Sequence, residues 1–409
     1  MMRSLFSGVS GLKNHQTRMD VIGNNISNVN TTGFKYSRTT FSDTLNQTLT
    51  GASSPQGEIL GGTNPKQIGL GSSVSSIDLL FTDGSVQSTG KNTDLCLSGN
   101  GLFIVKQGDQ TYYTRNGAFE FDAVGNYVLP GSGLLVQGWM ADADGALPEN
   151  KTDANMSFIK VSADSTLSPK QTSKVVFAGN LNASTEANGA VSSTVTVYDS
   201  EGFSYPIQLL FTKTDTNKWS VSSATTDPTV EVDHEITFSN EGAAPASDIA
   251  NMTITITSGA KDPVKVECSL EKLTQFDNES TIHVSESDGY GMGSLSSVSI
   301  DSSGIITGVY TNGIRRTEAQ VAIAQFNNAS GLTKTGSSMY QVSNNSGPAN
   351  VGTASALGVK ITPSALEMSN VDVANEFADM IITQRGFQSN SKIITVGDEM
   401  LETVINMKR

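Results

Sequence analysis

The side chains in this sequence best suited to catalysis or metal binding are three histidines and two cysteines. A histidine could act as a general base or a ligand, and a cysteine thiolate as a nucleophile. Either chemistry needs a partner at a triad or chelate spacing, and His15, His234 and His283 have none. They read as surface or internally satisfied histidines. Cys96 and Cys268 lie far apart without a CxxC and read as two small buried apolar residues, with a single long-range disulfide as the alternative. Asp142-Ala143-Asp144-Gly145 begins like a calcium loop. An EF-hand places glycine sixth and a bidentate glutamate twelfth, whereas here glycine is fourth and Asp153 stands twelfth, so a hairpin turn is expected. Gly99-Asn100-Gly101 lacks the strand-to-helix context of a phosphate loop and is also read as a turn. No enzyme, cofactor, metal or small-molecule substrate is expected from these residues.

Composition narrows the class further. The chain has 409 residues, enough for two or three domains, and a formal charge of −14 with no Lys/Arg cluster, which argues against nucleic-acid binding. Only 16% of residues are charged and 39 are glycine, a profile that suits β-structure with many turns. With 37% apolar content the chain can still fill a core. The first twenty residues contain no apolar run of a secretory signal, and no stretch of 18 apolar residues occurs.

The elements that would carry function are the two ends. From Leu5 onward a 4,3,4,3 spacing picks out Leu5, Val9, Leu12, Gln16, Met19, Gly23 and Ile26, a heptad-type stripe halted by the turn-forming residues 28–33. At the other end Ser369 or Asn370 is a candidate N-cap, with Asp372 in the first turn. The same spacing gives Val373, Phe377, Met380, Gln384, Phe387, Ser391, Ile394, Asp398, Leu401 and Ile405. Gly386 and Gly397 are the weak points of this second helix. Residues 1–38 carry five basic side chains against one acidic, and residues 366–409 carry four against seven, so two striped helices of opposite charge are expected to pair. The alternative is that each packs separately on one core. Such a short pair buries little area, so the ends are expected to order by packing on neighbours.

Between the ends the signals are strands and tight turns. Residues 39–75 are poor in apolar side chains and read as an irregular connector. Short β-type runs at 102–105, 111–114 and 133–139 return in kind at 298–306, 320–326 and 339–342. Alternating runs at 193–197, 207–211 and 252–256 differ in flavour. The predicted fold is therefore mainly β with α-helical termini: two β domains, one inserted in the other, and a terminal coiled-coil domain from both chain ends. The expected ranges are 1–38 with 364–409 for the helical polymerisation domain, 39–75 for the connector, 76–148 with 287–363 for the inner β domain, and 149–286 for the inserted outer one.

The run from Ser10 through Lys35, containing Asn24, Asn25, Asn28, Val29, Asn30, Gly33 and Phe34, closely resembles the signature of flagellar rod and hook axial proteins. Ser369-Asn370-Val371-Asp372 and then Gln384-Arg385-Gly386-Phe387 match the family's other end, with Phe387 where members often carry Tyr. Tyr113-Thr114-Arg115-Asn116-Gly117 looks like the β domain shared by distal rod and hook members, and residues 301–313 look like the hook branch. Rod members of this type are shorter and lack a large insert, so the insert here also favours the hook branch; a distal rod subunit is the alternative. Some hook members cross-link neighbours through a Lys and a Cys in the segment matching 175–180, where this chain has Gly179 in place of the Cys, so that link is not expected. The resemblance implies an extracellular homopolymer, a curved flexible tube acting as a universal joint that transmits motor torque to the filament, exported without a cleaved signal peptide. The partners it implies are the distal rod protein, the hook–filament junction protein, the hook cap, the hook-length ruler protein and the flagellar export apparatus, with no nucleic acid. The apolar stripe residues of both end helices would form the subunit interface.

Overall fold

The computed structural model describes residues 2–55, 61–162, 164–225, 230–239, 251–256 and 264–407; the outermost residues of the predicted helical ranges, 1, 408 and 409, lie outside them. The chain forms two compact units. One comprises residues 1–162, 299–307 and 317–409, and the other 163–298 and 308–316. The second therefore starts and ends later than the predicted insert. Residues 157–158 pair with Gly138 and Gln137, and Asn126 bridges Lys160, which keeps this stretch with the first unit. At the other boundary Thr166 pairs with Ser294 and Lys170 with Tyr290, which draws the stretch after 286 into the second unit.

In the first unit, α1 (Met2–Ser27) and α2 (Val373–Met407) are the only helices of more than one turn among the described residues. Asp372 caps α2, its Oδ1 accepting the N–H of Ala374 at 2.9 Å and of Asn375 at 3.3 Å. Neither Ser369 nor Asn370 does this, because their side chains are engaged elsewhere. The stretch 39–75, expected to be an irregular connector, carries paired strands on both sides of residues 51–65. Ser37–Asp43 pairs antiparallel with Ser72–Leu79, and Asn46–Thr50 with Lys66–Gly69, giving a two-stranded ribbon. Its strands are rich in Ser and Thr, which pair hydroxyl to hydroxyl across the ribbon (Thr40 to Ser76, 2.6 Å) and leave no apolar alternation to read. The β core of this unit runs in the order Leu134–Met140, Leu102–Gln107, Gln110–Thr114, Met339–Gln341 and Thr333–Gly336, around buried Ile104, Trp139, Ala322 and Tyr340.

The second unit packs a five-stranded sheet against a four-stranded one over a single apolar core. Strict alternation explains it: along Ala190–Tyr198, Val195 and Val197 point inward while Thr194 and Thr196 face solvent. Lys174–Asn182 runs parallel to Val264–Phe276, and the other pairings of these sheets are antiparallel. Cys268 lies in this core and Cys96 in that of the first unit, both as free thiols, with burial pushing their pKa values up to about 12 and about 11.

One turn recurs in both units. At Asp122, Asp142, Asp199 and Asp301 the aspartate N–H bonds the carbonyl four residues on, and a glycine three residues on donates back to the aspartate carbonyl. Each glycine has positive φ, between 75° and 90°, which a side chain would resist. The Asp142-Ala143-Asp144-Gly145 stretch is thus a tight turn, but not the expected hairpin turn, since among the described residues no strand follows it before Ser157.

Candidate assembly site

The two helices pair antiparallel, but on a different seam from the apolar stripe. On α1 the inward positions are Gly8, Gly11, His15, Arg18, Ile22 and Asn25; on α2 they are Glu376, Asp379, Thr383, Gly386, Asn390, Ile394 and Gly397. The α1 set keeps the alternating three- and four-residue spacing of a coiled coil, and the α2 set keeps it as far as Asn390. Their chemistry is small and polar. A carbon built at Gly386 would fall 2.7 Å from the His15 ring, one at Gly397 2.7 Å from Leu5 Cδ2, and one at Gly11 2.8 Å from Asn390 Nδ2. The glycines expected to weaken α2 are what lets the backbones approach.

Arg18 pairs with Asp379 at 3.0 Å, so the opposite charges of the ends do meet. Asn25 Nδ2 donates to Glu376 Oε2 at 3.1 Å and to the Ser37 carbonyl at 2.8 Å, while its Oδ1 accepts the Ser37 N–H. Its side chain thereby ties α1, α2 and the ribbon together. Burial raises the pKa of Glu376, opposed by the Asn25 hydrogen bond. Burial also lowers the pKa of His15, helped by the neighbouring Arg18 charge.

Apart from Leu5 and Ile394, which meet Gly397 and Gly8 in the seam, the predicted interface residues fall beside it. Leu5, Leu12, Met19, Ile26, Met380, Ile394 and Leu401 are half-buried. Val9 (53%), Phe377 (50%) and Ile405 (66%) are exposed, as are Val373 and Phe387. The stripe misses the seam by one position because an apolar count gives no weight to Gly, His, Arg and Asn, the residues that do the pairing. Ile381, Ile382, Met400 and Met407 add further exposed apolar surface to α2.

The signature residues after α1 build a buried charged hub. Asn28 Nδ2 bonds the Asn24 carbonyl at 2.9 Å and closes the helix, with Val29 half-buried and Asn30 exposed beyond it. Gly33, with φ of 66°, donates its N–H to the Glu367 carbonyl at 2.8 Å. A side chain there would fall 2.5 Å from the Asn116 nitrogen. Phe34 is buried, and Lys35 Nζ reaches Glu367 Oε1 and the Thr82 carbonyl at 2.7 Å. Arg115 holds the other Glu367 oxygen at 3.2 Å and donates to the carbonyls of Leu97 and Gly99. Desolvation lowers the Lys35 pKa, the Arg115 charge adds to this, and Glu367 opposes it. Asn370 completes the hub: its Oδ1 accepts the Tyr36 N–H at 2.8 Å and its Nδ2 bonds the Leu80 carbonyl at 3.0 Å. Gln384 and Arg385 lie exposed on α2 and take no part. Glu367 and Arg115 were not among the expected site residues; a lone acid in the run Ala365-Leu366-Glu367-Met368 was the only signal.

Four family models match successive parts of the chain. They are the flagella basal body rod protein at residues 5–35, the flagellar hook protein FlgE/F/G D1 domain at 96–168, the flagellar basal body protein FlaE D2 domain at 162–290, and the flagellar basal body rod FlgEFG protein C-terminal at 362–407. The flagellar hook protein FlgE of Treponema pallidum is 40% identical, and the match covers 100% of each chain. The chain belongs to the flagellar hook protein family.

The hook protein FlgE of Borreliella burgdorferi is likewise 40% identical over 100% of each chain. The solved Helicobacter pylori flagellar hook protein FlgE2 shares the fold, with a TM-score of 0.52 at 16% identity over 69% of this chain and 100% of that one. A relative named flagellar basal-body rod protein FlgG, from Bacillus subtilis, is 32% identical over 100% of each chain. The presence of the insert therefore does not by itself separate hook from rod, contrary to the expectation that rod members are shorter. The hook-named relatives at 40% identity decide the matter. This hook-family chain is a structural subunit of the bacterial flagellar hook.

Proposed function

We propose that this subunit polymerises through its paired end helices into a curved, flexible tube outside the cell, a universal joint that passes motor torque to the filament. The observation that carries the reading is the division of labour on α2. Its seam with α1 is polar and glycine-rich, while Phe377, Ile381, Ile382, Met400 and Ile405 stand exposed. A helix apolar on more than one face needs more than one neighbour. Heterologous contacts that do not close on themselves generate helical filaments. The predicted interface residues, Leu5, Val9, Leu12, Met19, Ile26, Val373, Phe377, Met380, Phe387, Ile394, Leu401 and Ile405, remain the proposed subunit contacts. The signature residues Asn25, Gly33 and Phe34 would position the helices rather than touch a neighbour.

The helical termini, the inner β unit and the inserted β unit would be the polymerisation, inner and outer layers of that tube. Its partners would be the distal rod protein at one end and the hook–filament junction protein at the other, with the hook cap, the length-ruler protein and the export apparatus acting during assembly. Because Leu5 and Gly8 lie against α2, export would keep these residues in place rather than cleave them as a signal.

Deleting residues 373–409 tests the reading. The expected product is a soluble, β-folded monomer that forms no tubes by negative-stain microscopy, beside a full chain that forms curved ones. Tubes from the deleted chain would overturn it, and straight tubes from the full chain would favour a distal rod role. Circular dichroism of the full-length monomer checks the coupling to assembly: helix content that rises on polymerisation is expected, and unchanged content sinks that part.

A further inference from the structure

We propose that the cleft between the end of α1 and the Thr333–Gln341 hairpin receives a carboxylate side chain from a second copy of this chain, held by Lys334. The proposal rests on the polymerisation reading and names one contact within it. The cleft has a volume of about 390 Å³ and is lined by Asn24, Asn28, Phe34, Asn116, Lys334 and Ser337, among others.

Its hydrogen-bonding groups are unevenly spent. The amide oxygens are each engaged: Asn24 Oδ1 accepts from Asn28 Nδ2 at 2.7 Å, Asn28 Oδ1 from Thr31 Oγ1 at 3.1 Å, and Asn116 Oδ1 from Thr32 Oγ1 and the Ala118 N–H, both at 3.1 Å. The donors are not. Lys334 Nζ, Asn24 Nδ2 and Asn116 Nδ2 have no acceptor among the described residues. An ammonium and two amide N–H groups left uncommitted in one cleft are complementary to an anion with two oxygens.

Lys334 is also held in place. Its Nζ lies 4.1 Å from the Phe34 ring centroid, and Phe34 is itself buried. The side chain is exposed to solvent, and the protein around its ammonium lowers its pKa. The hairpin tip is fixed at a conformational cost. Ser337 and Ser338 both adopt left-handed backbone, with φ of 51° and 57°, where glycine or asparagine would sit more easily. Ser338 is tied to the opposite wall, its carbonyl accepting from Thr114 Oγ1 at 2.9 Å and its hydroxyl reaching the Thr32 carbonyl at 3.3 Å.

The occupant follows from charge. The chain has 40 acidic side chains against 26 basic ones, so the surface a neighbouring copy presents is rich in carboxylates. An unpaired cation in a cleft is where such a surface gains rather than repels.

The test is Lys334→Met in the full chain, which keeps an unbranched stem on Phe34 without the charge, with Lys334→Arg as the conservative variant. At low salt the Met variant is expected to need about a tenfold higher concentration to polymerise, with weaker salt dependence. The Arg variant should assemble near the wild-type level, and both should melt as wild type does. A Met variant that polymerises like wild type overturns this proposal alone. A wild-type chain that forms no polymer overturns the polymerisation reading and this contact with it. Lost assembly accompanied by a lowered melting temperature, unrescued by Arg, assigns Lys334 to the fold and overturns the contact. Acetate or phosphate that stabilises the monomer, with assembly equal in wild type and Met variant, shows a free anion as the occupant and overturns the second copy.

Discussion

Lys35 Nζ lies 2.6 Å from Glu367 Oε1, and each side chain keeps only 1% of its exposure. The pair joins the segment after the first helix to the segment before the last one. Arg115 binds the second carboxylate oxygen from the β core, with Asp83 at 3.5 Å as a partly exposed fourth member. Burying charges costs several kcal/mol per ion unless each is paired and hydrogen-bonded. Here the carbonyls of Thr82, Leu97 and Gly99 and the Gly84 N–H take up most of the remaining valences.

Removing the anion should therefore be far more damaging than removing an exposed charge. Glu367→Gln leaves two buried cations facing a neutral amide and is expected to cost about 3–5 kcal/mol. Urea unfolding of the monomer measures it. A loss below about 1 kcal/mol, the worth of an exposed pair, would show the hub to be electrostatically idle.

Glycines on the two helices should respond in opposite directions. Gly386→Val places carbon against the His15 ring and should separate the helices, abolishing tube formation while the β units stay folded. Gly23 has open space around its Cβ position, and Gly23→Ala should stabilise α1 by about 0.5–1 kcal/mol. Far-ultraviolet circular dichroism against temperature checks both; equal effects from the two substitutions would contradict the seam.

The helix pair should loosen in mild acid. His15 has a folded pKa below its ordinary 6.5, so between the two values the unfolded chain holds a proton that the folded one lacks. Stability from this group is full above 6.5 and is lost as pH falls toward the folded value. The groups around the ring are Arg18 on its own helix, Phe41 from the ribbon and the Gly386 backbone of α2. Glu376 acts in the opposite sense: its raised pKa means stability falls as pH rises through 4.5 toward the folded value. Helix melting followed from about pH 7 to about pH 5 should fall in wild type and much less in His15→Asn. Identical profiles would remove His15 as the cause.

Asn25 satisfies both backbone groups of Ser37 while reaching Glu376. Asn25→Ala strands them in a half-buried site and should cost about 1–3 kcal/mol. Calorimetry decides, and amide exchange at Ser37 should quicken in step; a cost near zero would mean that water replaces the side chain.

Much of this was legible in the sequence. Both helices follow from the spacing of their apolar residues, although that stripe is not the face they bury against each other; their opposite charge follows from a count of side chains, and the strands of the inserted unit from an alternation that does mark the buried face. The seam was not legible, because Gly8, Gly11, Gly386 and Gly397 pair by absence of side chain, and His15, Arg18 and Asn25 are polar. The ribbon at 37–79 was missed for a related reason: Thr40 and Ser76 hold it by hydroxyl bonds, which leave no hydrophobic pattern. Lys35 and Arg115 lay inside recognisable motifs, but nothing in sequence links them to Glu367, more than 250 positions onward. Only the fold brings the three together.

That separation has a consequence for how the chain comes into being. Lys35 and Arg115 are synthesised long before Glu367, and until that carboxylate arrives the first unit has only the partly exposed Asp83 to set against its two cations. The emerging polypeptide cannot close this unit piecemeal, since the contact that completes it spans nearly the whole chain and such distant closures are slow. Under the proposed export, a thread passing through a narrow conduit would benefit from that delay: it would stay open for as long as its tail is missing and lock once the last stretch has come through.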